Sequence, residues 1–499
     1  MKIILSKLHT PKWLFFLLLA VFILRIPSFF EPYSYGDEMI YLTLGEAIRQ
    51  NIPLYGGVHD NKPPLLYVIA AVAGSLFWFK AILAIWHIIT IFIFWHLGKV
   101  LFPKNKRVQI ASTVIFALLT TIPSLEGNIA NAELFMIGPT MMGFYILLKY
   151  KHRFRNLFFA GVAFSIAALF KVPSISDIPA IVFYWLIAQK INRVNLIKIT
   201  KKTAFLITGL LTPILITFVW YFFRGALEEY VTAAFLQNVG YLSTWRPSDV
   251  QLSFFERNSP LLARCIITTF AIIILFVKRR NLSKQFIFLC AWLILSLFAV
   301  TLSERPYPHY LIQSIPAVSF LFSMLLFNKT TEQALTVIPL TVFFLVPVYF
   351  NFWHYSTTTY YTRFFNFATG KITKDEYFSK FGKNVVRNYK ISSFIISTTK
   401  KDDKVFVSGD SSAIYALSRR LPPIKYVAGY HIKDFSSDEE TVKALRESMP
   451  RIIVLLPDAT FSPRLTNFVR SHYAKVEVID GAQIWNLVFL ENDFTFAPK

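Results

Sequence analysis

Apolar runs long enough to cross a membrane recur along this chain from Trp13 to Phe350. Short loops rich in Lys and Arg separate them, and a membrane span needs about 20 mostly apolar residues. Beyond Phe350 a polar stretch leads into short β-type runs with helical segments between them. The pattern predicts a polytopic α-helical membrane protein with about eleven transmembrane helices and a C-terminal extracytoplasmic α/β domain.

Three regions follow from this pattern. We expect a transmembrane domain at 1–350 with a long first exterior loop at 31–80, a connecting segment at 351–390 and the α/β domain at 391–499. Within the α/β domain the pattern predicts strands at 404–407, 451–456 and 475–479 and helices at 437–449 and 462–473. No Gly-x-Gly-x-x-Gly follows its first strand, which argues against a nucleotide site. We expect the domain to stabilise the protein or position an acceptor.

The basic loops predict the orientation in the membrane, because cytoplasmic loops carry an excess of Lys and Arg. They place the N-terminus in the cytoplasm and, with an odd number of spans, the C-terminus outside. The alternation requires Leu65 to Phe79 to lie in the interface or to re-enter without crossing, with Trp78 and Lys80 as headgroup anchors. The first three basic clusters are at 2–12, 99–107 and 149–155.

Composition narrows the class further. The chain has 499 residues, of which 55% are hydrophobic, and 52 Lys and Arg against 29 Asp and Glu give a net charge of +23. Since the basic residues cluster in short loops between spans, their partner is the anionic membrane lipid, and no nucleic acid is expected. Cys265 and Cys290 both fall in apolar runs, which leaves no disulfide framework and no zinc spacing.

Ionisable residues gather in the loops predicted to face the exterior. Charged groups at the ends of spans are costly near lipid, so they normally face water or a shared cavity. A carboxylate that takes a proton and a cation that holds a phosphate are the groups needed to move a sugar from a lipid phosphate onto a hydroxyl or amine. The exterior set comprises Asp37, Glu38, Lys62, Glu126, Glu133, Lys171 and the segment 303–310.

In the order of its motifs, the membrane part resembles the GT-C polyprenyl-phosphate glycosyltransferases, near the protein O-mannosyltransferases and the aminoarabinose transferases that modify lipid A. The resemblance implies a sugar transfer from a polyprenyl-phosphate donor to an envelope glycan, lipid or protein in a bacterial inner (plasma) membrane. It rests on Gly36-Asp37-Glu38, Leu54-Tyr55, Asp60-Asn61-Lys62-Pro63-Pro64-Leu65-Leu66-Tyr67, Asn131-Ala132-Glu133, Phe170-Lys171-Val172-Pro173 and Arg305-Pro306-Tyr307-Pro308-His309-Tyr310.

The resemblance implies that Asp37 orients or deprotonates the acceptor. A lipid phosphate is already a good leaving group, so no general acid is needed, and a single displacement inverts the anomeric carbon. Glu133 is expected to share the acceptor or, by like-charge repulsion, to make Asp37 a better base. Glu38 and Tyr67 are assigned supporting roles. The groups expected to hold the donor phosphate are Lys62, Lys171, Arg305, His309 and Tyr310.

Several questions stay open at this point. No cofactor is certain, but Asp37 and Glu133 are a minimal ligand set for a divalent metal. The acceptor is expected near the loop 224–257, with its Tyr230, Tyr241 and Trp245.

Each charged residue also has a structural interpretation. Asp37 and Glu38 are then the solvated end of a span, Lys62 is a headgroup anchor, Glu133 is a helix N-terminal residue and Lys171 snorkels from its span.

Two other classes of protein share this topology. A flippase or transporter of lipid-linked glycans is the main alternative, but it should place its polar residues near mid-membrane. A receptor or scaffold would not need Asp37, Lys62 and Glu133 on one face. An O-antigen ligase or polymerase is a near neighbour within the same chemistry.

Overall fold

The computed structural model describes residues 11–237, 253–303 and 305–488. These residues fall into two compact units. The first takes in 11–30, Asn61–Leu66 and Phe77–Thr362. The second takes in Glu31–Asp60, Tyr67–Leu76 and the described chain from Arg363 onward. Most of the first exterior loop, predicted as part of the membrane domain, therefore belongs to the same unit as the C-terminal domain.

Apolar helices build the first unit, as expected for segments that must satisfy their own backbone hydrogen bonds in lipid. Short 3-10 helices at Ile26–Phe30, Pro123–Leu125, Val172–Asp177, Lys278–Arg280 and Pro308–Ser314 and a π-helix at Thr232–Leu236 join or extend them. The α-helices are Lys12–Arg25, Leu76–Leu101, Lys106–Leu119, Ala132–Lys149, Phe154–Phe170, Ile178–Ile187, Arg193–Phe223, Leu227–Val231, Phe254–Val277, Lys284–Thr301, Ile315–Phe327, Thr331–Leu335 and Val337–Tyr349.

Among the described residues, eight helical segments are long and apolar enough to cross a membrane. Two shorter apolar segments, Phe154–Phe170 and Val172–Ile187, accompany them. The prediction of a multi-pass helical membrane protein is confirmed, whereas the count of eleven and the orientation stay predictions. The eight segments are Lys12–Phe30, Leu76–Leu101, Ala132–Lys149, Arg193–Phe223, Asn258–Arg280, Lys284–Thr301, Pro308–Phe327 and Thr331–Tyr349.

The segment predicted to lie in the interface is a helix of only nine residues, Leu65–Ala73. It is too short to span a bilayer, and Gly74, with φ of +64°, follows it. The next helix already starts at Leu76, so the last residues of the predicted interfacial segment belong to a 26-residue span.

The prediction that Lys80 anchors at headgroup level is wrong. Lys80 is only 1% exposed, and its Nζ donates a hydrogen bond to the backbone carbonyl of Asn128 at 2.8 Å. A buried ammonium needs such a partner because burial removes its water. Trp78, two residues earlier, is 60% exposed, as expected of an anchor.

The second unit contains a four-stranded sheet in the order β1-β2-β4-β3. Strands β1 (Val405–Ser408) and β2 (Ile452–Leu455) are parallel, whereas β4 (Ala482–Leu487) runs antiparallel to both β2 and β3 (Tyr473–Ile479). In the register, Val405 lies opposite Ile452, and Val454 lies opposite Ile484. The three predicted strands are confirmed to within about two residues, and β4 was not predicted.

The second unit also contains several helices. Two of them, Asp438–Ser448 and Pro463–His472, match the predicted helices and pack Leu445 and Phe468 into a core with Phe406 and Ile453. The first begins at a capping box made by Ser437 and Glu440, which explains its sharp start. The others are Gly36–Arg49, Lys374–Ser379, Val385–Thr398, Ser412–Ser418 and Gly429–Phe435, and Thr357–Ala368 joins the two units in sequence.

Residues 31–60 contact the C-terminal part of their own unit through backbone and side-chain hydrogen bonds. The backbone N–H of His59 donates to the carbonyl of Lys425 at 2.9 Å, and the hydroxyl of Ser412 donates to the carbonyl of Gly36 at 3.4 Å. Positions 38–47 of helix Gly36–Arg49 are buried throughout. This burial fixes the orientation of the acidic pair at the start of the helix.

Candidate functional site

Asp37 and Glu38 lie in the first turn of helix Gly36–Arg49. The helix dipole favours negative charge at this end. Glu38 points into the unit and is 1% exposed, whereas Asp37 is half-buried. The hydroxyl of Tyr41 donates a hydrogen bond to Asp37 Oδ2 at 2.9 Å, one turn along the helix. Asp37 is thus a partly accessible carboxylate held in a defined position.

The side chain of Tyr67 contacts the same helix. It is fully buried, and its hydroxyl donates to Asp60 Oδ2 at 2.8 Å. Its ring centroid lies 6.0 Å from that of Tyr41, the residue that holds Asp37. Asp60 in turn lies 3.7 Å from Nε2 of His431. The supporting role of Tyr67 stays a prediction.

Asp37 also lines a cavity of about 320 Å³ within the second unit. The other walls come from the segment that begins helix Val385–Thr398 and from the turn after β1, which carries Asp410. Polar and apolar side chains line the cavity in about equal measure, and the half-buried Asp37 is one of the polar ones.

A second polar cluster lies in the first unit, where Glu133 begins helix Ala132–Lys149. Glu133 is buried, and the Nζ of Lys171 donates a hydrogen bond to its carboxylate. Lys171 ends helix Phe154–Phe170, and its Nζ lies 3.7 Å from the ring centroid of Tyr310. A cation over an aromatic face is stabilised by the ring quadrupole. The structural interpretation that Lys171 snorkels to the interface is therefore wrong.

His309 connects this ion pair to another buried acid, Glu126. Nδ1 of His309 forms a hydrogen bond with Glu126 Oε2, and its Nε2 lies 3.8 Å from Glu133 Oε1. The amide of Asn131 donates to the same Glu126 oxygen at 3.4 Å. His309 sits in the 3-10 helix Pro308–Ser314 and is 4% exposed. We call Glu126, Glu133, Lys171, His309 and Tyr310 the buried acid–base cluster.

The structure brings together four of the predicted site residues, namely Glu133, Lys171, His309 and Tyr310. Glu126 was placed in an exterior loop by the sequence but received no role. It is fully buried and adopts φ of +57°, a left-handed conformation that few side chains take without a local reason. The only signal for a role of Glu126 in the sequence was its position five residues before Asn131. Nothing near it in the sequence indicated that it pairs with His309.

The other predicted residues are divided between the two units. Asp37, Glu38 and Tyr67 belong to the second unit, and Lys62 and Arg305 belong to the first. Lys62 is half-buried just before helix Leu65–Ala73, and Arg305 is exposed ahead of the 3-10 helix that carries His309. Their role at a phosphate stays a prediction.

Tyr230, expected near the acceptor, is a packing residue. It is fully buried, stacks on Tyr221 with centroids 4.3 Å apart and shares a 2.7 Å hydrogen bond with Thr217. The interpretation of Tyr230 as part of an acceptor surface is therefore wrong. Tyr241 and Trp245 lie outside the described residues.

Among the side chains that the structure describes, no group of three or more His, Cys, Asp and Glu residues is arranged to hold a metal ion. The divalent metal considered for Asp37 and Glu133 stays an open prediction.

No protein-family model and no curated protein sequence matches this chain. Solved structures do match it over nearly its whole length. The crystal structure of ArnT from Cupriavidus metallidurans bound to undecaprenyl phosphate aligns with a TM-score of 0.60 at 12% identity, covering 95% of this chain and 98% of ArnT. The apo structure of ArnT gives a TM-score of 0.56 at 12% identity, with 95% and 97% covered.

A third match is the archaeal oligosaccharyltransferase AglB from Archaeoglobus fulgidus, in complex with an inhibitory peptide and a dolichol-phosphate. It aligns with a TM-score of 0.46 at 10% identity, covering 90% of this chain and 70% of AglB. The likeness to ArnT establishes the fold. The protein has the GT-C membrane fold with a small C-terminal sheet, as the order of its motifs predicted.

Proposed function

We propose that the protein is an integral-membrane glycosyltransferase that moves a sugar from a polyprenyl-phosphate donor to an acceptor at the outer face of a bacterial plasma membrane. The observation that carries this proposal is the full-length fold likeness to ArnT, whose structure holds undecaprenyl phosphate. An accessible, positioned carboxylate at Asp37 adds the group that such a transfer requires.

In the proposed reaction an acceptor oxygen or nitrogen attacks the anomeric carbon of the donor sugar. The bond between that carbon and the phosphate oxygen breaks, and the electron pair leaves with the lipid phosphate. Asp37 takes the proton of the acceptor. Because attack and departure occur on opposite sides of the carbon, the configuration inverts.

The phosphate needs cations that stabilise its growing charge. We assign this task first to Lys62 and Arg305. Lys171 already neutralises Glu133 and lies against Tyr310, so its positive charge is largely balanced within the protein. We assign the buried acid–base cluster to a preorganised electrostatic framework within the first unit, in which the buried charged groups balance one another.

The flippase alternative fits the described geometry less well. Glu133 occupies the first turn of its helix and Lys171 the residue after the last turn of its own. Polar groups of transporters lie instead near the middle of broken spans.

The test uses purified protein in nanodiscs and a set of radiolabelled polyprenyl-phosphate sugars, with release or transfer of sugar as the readout. We expect Asp37→Asn to lower turnover by about 10²- to 10⁴-fold, which is the usual contribution of a general base to the rate. Asp375→Asn, at an exposed position of helix Lys374–Ser379, is the matched control. Equal activity of Asp37→Asn and wild type would remove Asp37 from the chemistry, and no turnover of any donor by wild type would overturn the proposal.

A further inference from the structure

The cavity of the second unit offers more than access to Asp37. Its walls come from four separate parts of the chain: positions 34–40 around the start of helix Gly36–Arg49, the segment 381–388, the segment 410–413 after β1, and Tyr430. At about 320 Å³ it lies at the lower end of the roughly 300–1,000 Å³ typical of small-molecule sites. That size suits one unit of a small or polymeric molecule and excludes a folded domain.

One wall residue carries a hydrogen-bonding group that the described protein leaves unused. Asn388 is 7% exposed, and its Oδ1 accepts no hydrogen bond from any residue that the structure describes. Buried amide oxygens in folded proteins are nearly always paired, because an unpaired one loses its hydration without compensation. Because the Asn388 side chain lines the cavity, a rotation of its amide toward that space would let a bound molecule donate a hydrogen bond to the oxygen.

The remaining lining groups define the chemistry of such a molecule. Asn384, Ser411 and Ser412 supply neutral donors and acceptors. Two carboxylates, Asp37 and Asp410, face one ammonium, that of Lys383, so the balance disfavours a phosphate or other anion.

Aromatic surface completes the lining. Tyr430 is 39% exposed and Phe381 half-buried, and both line the cavity. An aromatic ring presents an apolar face, and the C–H face of a sugar ring is the complementary partner. Hydroxyl groups around that ring can meet the amides and carboxylates. A lipid tail would leave these polar groups unpaired.

We propose that this cavity binds a neutral sugar unit of the acceptor, which makes the acceptor a glycan and Asn388 a residue that positions it. The inference rests on the proposed function and specifies its acceptor. A hydroxyl oxygen of the bound sugar forms the new bond to the anomeric carbon of the donor, the bond from that carbon to the phosphate oxygen breaks, and the electron pair leaves with the lipid phosphate. The proton of the hydroxyl passes to Asp37.

The first part of the test measures binding without any donor. Methyl glycosides of mannose, galactose and N-acetylglucosamine are added to the full-length protein in nanodiscs, and binding is followed by saturation-transfer NMR. Glucuronate and a serine-containing peptide serve as the anionic and the protein-type probes. We expect at least one neutral glycoside to bind, and Asn388→Leu to weaken its binding by tenfold or more.

A matched control comes from the same unit. Asn486 in β4 also has an amide oxygen without a hydrogen bond from the described residues, but it does not line the cavity. Asn486→Leu should leave glycoside binding unchanged. If Asn388→Leu fails to fold, as judged by its elution and melting, Ser411→Ala replaces it, with the same expected direction.

The second part measures slow hydrolysis of the radiolabelled donor, in which water replaces the acceptor. We expect wild type to hydrolyse the donor slowly, and Asn486→Leu, whose residue does not line the cavity, to do so at the wild-type rate. Glycoside binding that does not depend on Asn388 and Ser411, binding of none of the glycosides, or Asn388-dependent binding of the peptide or glucuronate instead would overturn the inference. A wild-type protein that binds glycosides but never consumes donor would overturn the transferase proposal alone.

Discussion

Lys171 donates a hydrogen bond to the buried carboxylate of Glu133, although 38 residues separate the two in sequence. Glu133 lies in the first turn of helix Ala132–Lys149, and Lys171 directly follows helix Phe154–Phe170. The pair therefore forms only when these two helices pack side by side. Glu133 is about 3% exposed in its side chain and Lys171 18%. Neither charge has full access to water, and each therefore depends on the other.

We expect Lys171→Met to destabilise the protein by about 3 kcal/mol, because it leaves the Glu133 carboxylate buried without its main cation. The double variant Glu133→Gln with Lys171→Met should recover most of that loss. Thermal melting in one detergent measures both. Lys151→Met, at an exposed loop position, is the control, and a double variant as unstable as Lys171→Met would contradict the coupling.

We expect Glu126→Gln to lower kcat about tenfold, equivalent to about 1.4 kcal/mol, while the KM for the acceptor stays constant. The substitution removes the negative charge that faces Nδ1 of His309 and keeps the size of the side chain. Steady-state transfer kinetics, with donor and acceptor varied separately, give both constants. Glu256→Gln, at an exposed helix start, should behave as wild type; a raised acceptor KM with unchanged kcat would place Glu126 outside the framework.

Gly45 lies where helix Gly36–Arg49 meets helix Leu65–Ala73. A Cβ at this position would lie 2.7 Å from the backbone carbon of Ala70. We expect Gly45→Ala to destabilise the protein by about 1–3 kcal/mol, because the added methyl group would clash with backbone atoms, which cannot move aside as a flexible side chain can. Gly36→Ala, whose Cβ would meet nothing within 4 Å, should have little effect. Equal melting temperatures for the two variants would contradict this packing.

The carboxyl group of Asp410 makes the stability of the folded protein depend on pH. Although the residue is exposed at the edge of the cavity, partial burial of its carboxyl raises its pKa, and a hydrogen bond from the Gly429 backbone opposes this only in part. In the folded protein the Asp410 carboxyl therefore keeps its proton up to a higher pH than it does in the unfolded chain. Stability from this group is present at low pH and lost as pH rises through the raised pKa.

The Asp410→Asn variant lacks this titration, so its stability relative to wild type should increase as pH rises through that window. Melting temperatures of both proteins across a pH series measure the difference. Asp434→Asn, on the exposed end of helix Gly429–Phe435, is the control. A difference between wild type and Asp410→Asn that stays constant with pH would contradict the raised pKa.

The pattern of apolar and polar residues was enough to predict the class of protein and several of its helices and strands. Long apolar runs specify spanning helices, because a helix satisfies its backbone hydrogen bonds within its own segment. Alternating and capped stretches predicted three of the four strands and two of the helices of the α/β part, as Ser437 and Glu440 do at one helix start. The order of short motifs was enough to predict the GT-C fold that the likeness to ArnT establishes.

Which side chains meet depends on the tertiary structure and could not be predicted from the sequence. Glu126 and His309 are 183 residues apart, and Lys80, expected at the headgroups, is instead buried against the carbonyl of Asn128. Most of the predicted first exterior loop belongs to the C-terminal unit, where Asp37 and Asn388 line one cavity. Such pairings depend on how distant segments pack, whereas periodicity and caps record only interactions between near neighbours in the chain.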